Sequence, residues 1–297
     1  VEVTETAAKN EVRSRSTVTS TDATIGIPEH VVCLLESLPP DLSSEEREAV
    51  ASFIRVNADV FSKSIGRTHL VRHQIDTENH PPIKQPLRRH PMAYWPIIDQ
   101  HVEEMLANDI IEPAASPWAS NVVLIRKKDG KMRFCVDYRR LNDVSRKDSY
   151  PLPRIEDCLS VLGGACYFST LDLRAGYWQT AMDERDADKT AFVTRRGVFR
   201  FKVLSFGLAN APSLFQRLME YVLAGLTWEA CLVYIDDIII WADSFSRHLQ
   251  RLSQVLQRLR DANLKLKPCK CRLFQRKVTF LGHVISAAGI EPDPDKI

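Results

Sequence analysis

Two adjacent carboxylates, Asp236 and Asp237, interrupt a run that is otherwise almost wholly apolar, from Cys231, Leu232 and Val233 to Ile238, Ile239, Ile240 and Trp241. The β-branched and aromatic flanks read as two short strands, with the Asp pair as the turn between them. Neighbours within a strand point to opposite faces, so the carboxylates converge only if the chain turns at them. Held together beside a hydrophobic sheet they repel and lose hydration, at a cost of roughly several kcal/mol per ion. A divalent cation compensates this, and hard oxygen ligands suit magnesium, with manganese as a substitute. The plainer alternative is a solvated Asp turn that needs no metal.

A third acid adds to the pattern. Ala165 to Asp172 reads as a strand ending in Asp172, followed by a helical turn from Arg174 to Gln179. Three carboxylates at adjacent strand ends can hold two metal ions ~3.5–4 Å apart. Asp172 alone could equally cap the turn after it. Tyr177 lies in that turn, and Trp178 beside it reads as core.

The surrounding elements must position these groups. Val122 to Lys128, then Asp129 and Gly130, then Lys131 to Tyr138 reads as strand, two-residue turn, strand. Its tip bears Arg126, Lys127, Lys128, Lys131 and Arg133, cations that can fold over a triphosphate or simply keep the hairpin solvated. A helix from Arg154 stops at Gly163 and Gly164, and strands at 190–194 and 198–204 flank Arg195, Arg196 and Gly197. Asn210 as cap and Pro212 open a helix to about Leu226, Leu249 to Leu259 mark an apolar helix face, and 278–285 is another hairpin. Upstream, a helix from about Glu29 ends before Pro39, Ser43 and Glu46 form a capping box, and Pro96 opens a helix. Helices mixed with antiparallel hairpins in this order predict an α+β sheet with helices on one face.

The 297 residues, 44% of them hydrophobic, suffice for one large domain or two ordinary ones. No stretch reaches the ~20 apolar residues of a membrane span, so no membrane partner is expected. Residues 1–25 are polar and aperiodic and read as a disordered linker, and the chain's two ends suggest a piece of a longer polypeptide. Seven cysteines, an odd number set mostly among apolar residues, fit reduced thiols in an intracellular compartment. Cys269, Cys271 and His283 have the wrong spacing for the common zinc frameworks. Net charge is only +2, but from Arg247 to Lys277 ten Lys or Arg face one acid, Asp261. Such a block suits a nucleic-acid backbone or, equally, a solvated helix face.

Six blocks, in order, resemble the reverse transcriptases of gypsy-type long-terminal-repeat retrotransposons: Ser116–Ser120, Lys127–Gly130 with Arg133–Arg139, Leu171–Gln179, Phe206–Pro212 with Phe215 and Gln216, Tyr234–Asp237, and Phe280–His283. The match runs from about residue 60 to the end. The resemblance implies the fingers and palm of a right-hand polymerase, with the thumb largely missing. It divides the chain into a linker (1–25), a helical and extended lead-in (26–90) and the polymerase domain (91–297, core about 107–286). It implies Asp172, Asp236 and Asp237 as ligands of two Mg²⁺ ions, and Lys127 and Arg133 as contacts of the incoming triphosphate. By the same resemblance Tyr177 is a steric gate against the ribose 2′-hydroxyl, and Phe206 and Gly207 pack by the templating pair. Phe280, Leu281 and Gly282 would be the primer grip, and Lys270 the lysine that protonates pyrophosphate. Ser205 departs from the family, which usually has Pro there.

The implied function is RNA-directed DNA synthesis from deoxynucleoside triphosphates on a primed RNA or DNA template, within a retrotransposon Pol polyprotein and an intracellular, cytoplasmic particle. Without a thumb, binding of primer-template is expected to be weak, poorly processive and steeply salt-dependent. The competing readings are a catalytically inactive nucleic-acid-binding remnant and an RNA-templated RNA polymerase, the latter disfavoured by Tyr177. The sequence carries no signal of oligomeric state.

Overall fold

The structure, a computed structural model, describes residues 26–127 and 130–294. The linker expected over 1–25 lies outside the described residues, as do Lys128 and Asp129 of the basic hairpin tip. In chain order the helices are α1 (Val32–Glu36), α2 (Ser44–Val56), α3 (Trp95–Ala107), α4 (Arg139–Val144), α5 (Ile155–Ser160), α6 (Glu184–Ala187), α7 (Ala211–Val222) and α8 (Phe245–Asp261). The strands are β1 (Thr68–His73), β2 (Ile111–Pro113), β3 (Ser120–Arg126), β4 (Met132–Asp137), β5 (Tyr167–Asp172), β6 (Thr180–Met182) and β7 (Phe192–Thr194). They continue as β8 (Gly197–Phe201), β9 (Cys231–Tyr234), β10 (Asp237–Ala242), β11 (Arg272–Gln275), β12 (Lys277–Phe280), β13 (His283–Ser286) and β14 (Gly289–Pro292).

The acids sit on a four-stranded antiparallel sheet, ordered β11-β5-β10-β9. Its alternating side chains divide between two cores, as the strand period requires. Leu171, Val233, Ile238 and Ile240 pack with α2, α7 and α8, whose buried residues include Val50, Ile54, Phe215, Met219, Leu252 and Leu256. Phe168, Leu232, Ile239 and Trp241 face the other way, against Cys158 of α5 and Val278, Phe280 and Ile285 of the β12-β13-β14 sheet. The expected α+β class and antiparallel sheet are found, with the longer helices on one face and α5 plus a small sheet on the other. Burying each such aliphatic side chain contributes about 1.5–3 kcal/mol. A second five-stranded sheet, β2-β8-β7-β3-β4, carries the basic hairpin. Its core joins Val122, Val136, Phe192 and Phe201 to α3 through Ile98, Val102 and Met105.

Local signals in the sequence mostly form what they encode. The Ser43–Glu46 capping box is present in both directions. The β3-β4 ladder runs to Arg126 and Met132, Lys127 N–H still donates across it to the Lys131 carbonyl at 2.8 Å, and the turn expected at Asp129 and Gly130 lies partly outside the described residues. Two expectations need correction. Asn210 precedes α7 but does not cap it: its side chain accepts from Asp148 N–H at 3.1 Å and donates to the Arg146 carbonyl at 2.7 Å, tying two loops together. The hairpin that carries Asp236 and Asp237 turns at Ile235 and Asp236, not at the Asp pair, because Asp237 is already in β10, opposite Tyr234 of β9.

That turn is strained and held from below. Two-residue hairpins need positive φ at the first central position, and here a β-branched residue, Ile235, takes it at φ 57°. Gln216, fully buried on the apolar face of α7, accepts the Ile235 N–H at 2.6 Å and donates to the Val233 carbonyl at 3.1 Å. Replacing it by an apolar residue leaves both backbone groups unpaired in the core. Gln216→Leu is therefore expected to cost about 1–3 kcal/mol of stability, measured by urea unfolding; a cost within error of zero would remove Gln216 from this role.

Two histidines are buried where charge is disfavoured. His248 shares a 2.7 Å hydrogen bond with Ser169, and its pKa is pushed down to about 3 by burial and then by Arg251. Burial lowers His73 to about 4, with Asp186 opposing. Both stay neutral in the fold while the unfolded chain protonates them below about 6.5. Their stabilisation is complete above that pH and is lost as pH falls. Between pH 6.5 and 5, unfolding free energy should fall by up to about 1.4 kcal/mol per pH unit for each histidine. Urea titrations at pH 7, 6 and 5 test this, and His248→Asn should flatten the slope.

Candidate active site

β10 is paired along its length with β5, and this register sets Asp237 directly opposite Asp172. Side chains opposite one another in adjacent strands share a face, so these two acids and Tyr234 stand on the side covered by β12 and β13. Asp236 projects from the turn beside them. Asp172, Asp236, Asp237 and Lys270 line one cleft of about 550 Å³ together with Phe280, Leu281 and Gly282. Seven of the residues singled out in the sequence are thereby brought to one place.

The charges in this cleft are not balanced by the acids themselves. Burial pushes the Asp236 carboxyl above the ordinary carboxylate range, with the charge of Asp172 adding to it and Lys270 opposing. Lys270 Nζ lies 3.0 Å from Asp172 Oδ2. The turn Pro268–Lys270 is anchored to the same residue, since Lys267 N–H donates to the Asp172 carbonyl at 2.9 Å and Asp172 N–H to Cys271 Sγ at 3.5 Å. Among the described residues no three His, Cys, Asp or Glu side chains stand close enough to share a metal ion as they are. The donor set is nevertheless all carboxylate oxygen and open to solvent, with the charged form of Asp236 disfavoured by burial and by Asp172, which fits a hard divalent cation once Lys270 leaves Asp172.

Tyr177 approaches from behind the turn. It lies in a short 3₁₀ segment, Gly176–Gln179, and its ring stacks on Phe206 with centroids 5.0 Å apart and meets Phe215 edge-on at 5.3 Å. Burial, and then Asp236, push its hydroxyl up to about 12, so it is a neutral phenol. Gly176 permits this approach: a Cβ there would lie 3.2 Å from Phe215 and 3.3 Å from Asp236 Cβ. Trp178 packs in the core of the five-stranded sheet, as read from sequence. Phe206 remains 48% exposed beside Tyr177. Its loop is held without a proline at 205: Ser205 is buried, and Asn142 donates to the Gly207 carbonyl at 2.8 Å and accepts the Ala209 N–H at 2.9 Å.

Lys127 and Arg133 do not line the cleft. They lie exposed on the β3-β4 hairpin of the other sheet. The basic segment is partly self-neutralised, since Arg247, Arg260, Lys270 and Arg276 pair with Asp243, Asp59, Asp172 and Asp41. Gln216, Gly176 and Asn142 are the supporting residues that sequence reasoning missed. A glutamine on the apolar stripe of α7 was the one available signal.

A family model described as reverse transcriptase (RNA-dependent DNA polymerase) matches residues 125–285. The Retrovirus-related Pol polyprotein from transposon 297 of Drosophila melanogaster is 38% identical over 237 residues, 77% of this chain and 22% of the relative. That from transposon 412 of the same organism is 36% identical over 264 residues, 86% of this chain and 21% of the relative. The chain thus spans about a fifth of these curated relatives. Among solved structures, the foamy viral protease-reverse transcriptase dRH in complex with double-stranded DNA aligns with TM-score 0.81 and 24% identity, over 88% of this chain and 46% of that one. The foamy viral protease-reverse transcriptase in complex with RNA/DNA hybrid aligns with TM-score 0.81 and 23% identity, over 88% of this chain and 35% of that one. The matched span takes in β5, β9, β10, the strained turn and the cleft-lining hairpin, and by that match the chain belongs to the reverse transcriptase family.

Proposed function

We propose that this chain is the fingers and palm of an RNA-directed DNA polymerase from a retrotransposon Pol polyprotein, extending a primer on RNA or DNA with deoxynucleoside triphosphates. The observation that carries the proposal is the convergence of Asp172, Asp236 and Asp237 on one cleft with the Phe280–Gly282 turn. The five-stranded sheet with the basic hairpin is the fingers, and the four-stranded sheet the palm. In this reading the lead-in is 26–90 and the polymerase domain 91–297. The enzyme acts in the element's intracellular, cytoplasmic particle, and no helix among the described residues is long and apolar enough to cross a membrane.

The three aspartates are the holders of two Mg²⁺ ions, with Mn²⁺ as a substitute. When bound, these ions supply positive charge to the primer 3′-hydroxyl and to the phosphates of the incoming nucleotide. The chain's own residues position the rest. Phe280, Leu281 and Gly282 hold the primer end over the acids, and Lys127 and Arg133 meet the triphosphate from the fingers. Lys270, released from Asp172, is placed to give a proton to the departing pyrophosphate. Phe206 and Gly207 support the templating pair, and the Tyr177 ring, braced by Phe206 and Phe215, fills the space a 2′-hydroxyl would need. Position and charge, not covalent chemistry, carry the catalysis.

Magnesium-dependent extension of a DNA primer on an RNA template tests the reading. Asp236→Asn should lose several kcal/mol of charge stabilisation, about 10²–10³-fold or more in rate, with unchanged circular dichroism. Binding of primer-template without extension by the native chain would favour the non-catalytic binding remnant. Tyr177→Ala should reduce the preference for deoxy- over ribonucleotides by at least about 10-fold in kcat/KM; an unchanged ratio would remove Tyr177 as the gate.

A further inference from the structure

Cys33 and Cys269 are 236 positions apart in sequence, yet their sulfurs lie 2.9 Å apart. Both are free thiols. Cys33 belongs to α1, in the lead-in, and Cys269 to the Pro268–Lys270 turn that backs Asp172. A disulfide needs a sulfur separation of about 2.05 Å, so closure asks for under about 1 Å of sulfur movement. Cys269 is exposed, so an oxidant meets it first, whereas Cys33 is half-buried. Burial, and then Cys269 itself, push the Cys33 thiol up to about 11, so it waits as a protonated thiol. Lys267, Lys270 and Arg272 surround Cys269 in sequence and favour an anionic reagent.

We propose that Cys33 and Cys269 form a redox modification site whose oxidant is a small anionic disulfide of the glutathione class. The Cys269 thiolate attacks one sulfur of that disulfide, forming a mixed disulfide and expelling one thiolate, which takes up the Cys269 proton from solvent. The Cys33 sulfur then attacks Cys269, expelling the second thiolate, which takes up the Cys33 proton. Two protein thiols are oxidised to one disulfide, and the reagent is reduced to two thiols. The crosslink ties α1 to the turn that holds Lys270 on Asp172, restraining the release that catalysis requires. This effect on catalysis rests on the polymerase function proposed above; the crosslink itself does not.

The full chain is incubated with oxidised glutathione, alkylated, digested and mapped by mass spectrometry. The expected product has peptides joined through Cys33 and Cys269, a chain mass lower by two hydrogens, two of the seven thiols lost and no glutathione retained. Its melting temperature should rise and return with dithiothreitol. Cys33→Ser should stop at glutathione on Cys269, and Cys269→Ser should form neither product. Stable glutathione on Cys269 in the native chain, a bridge between any other pair, or a crosslinked dimer would overturn the proposal, as would seven unreacted thiols. None of these readouts needs polymerase activity.

Discussion

Mutual repulsion among Asp172, Asp236 and Asp237 is the constraint around which the molecule is arranged. Like charges directly opposite in a sheet are destabilising, and Asp172 faces Asp237 in register. The fold accepts this by surrounding the acids with elements that do not yield. β10 is buried from Ile238 to Ala242 on both faces, so its register cannot slip without exposing a whole row of aliphatic side chains. Lys270 lends a compensating charge from a turn stitched to Asp172 by backbone and sulfur contacts. Burial first, and then the charge of Asp172, raises the Asp236 carboxyl, and both penalties on its charged form are ones a cation at this cleft would relieve.

The lead-in helices contribute to that rigidity. Leu34, Val50 and Ile54 share one core with Leu171, Val233 and Ile238, so α1 and α2 bear on the underside of the strands that carry the acids. Arg260 of α8 reaches Asp59 and Asn57 beyond α2, and Arg276 reaches Asp41, fastening the same segment at two further points. Those ion pairs draw on the basic run from Arg247 to Lys277, so its net charge overstates the field available to a nucleic-acid backbone. Part of a charge block legible in sequence is consumed by folding.

Much of the architecture was legible because local chemistry and tertiary demand agreed. The capping box at Ser43, the apolar stripe of α8 and the strand ending at Asp172 each formed as their residues prescribe. Where they did not agree, a long-range interaction decided. The Asp236–Asp237 pair suggested the turn because Asp favours turns, but pairing of Asp237 with both Tyr234 and Asp172 draws it into β10 and moves the turn onto Ile235. Asn210 has the right identity for a cap, yet its amide has two better partners in the 146–148 loop. Gln216 showed only as a glutamine on an apolar stripe, and Gly176 not at all, because their value lies in what stands opposite them, and spacing along the chain does not encode that.

The cleft is bounded by two tight hairpin turns, each with an aliphatic residue at positive φ in its first central position. Across from Ile235 and Asp236 stand Leu281 and Gly282, with φ of 49° and 78°, closing β12 and β13 between Phe280 and His283. Each turn spends an aliphatic residue in the left-handed region, a conformation costing roughly 1–3 kcal/mol that persists only when its surroundings over-determine it. Gln216 does so for the first turn, and for the second the burial of Val278, Phe280 and Ile285 against Phe168 and Ile239 does. Ile239 belongs to β10 itself, two residues along from Asp237 and on the same face. The Phe280–His283 hairpin and the strand that presents the acids are therefore two sides of one hydrophobic cluster, and the separation between that turn and the carboxylates is set by core packing, not by loop flexibility.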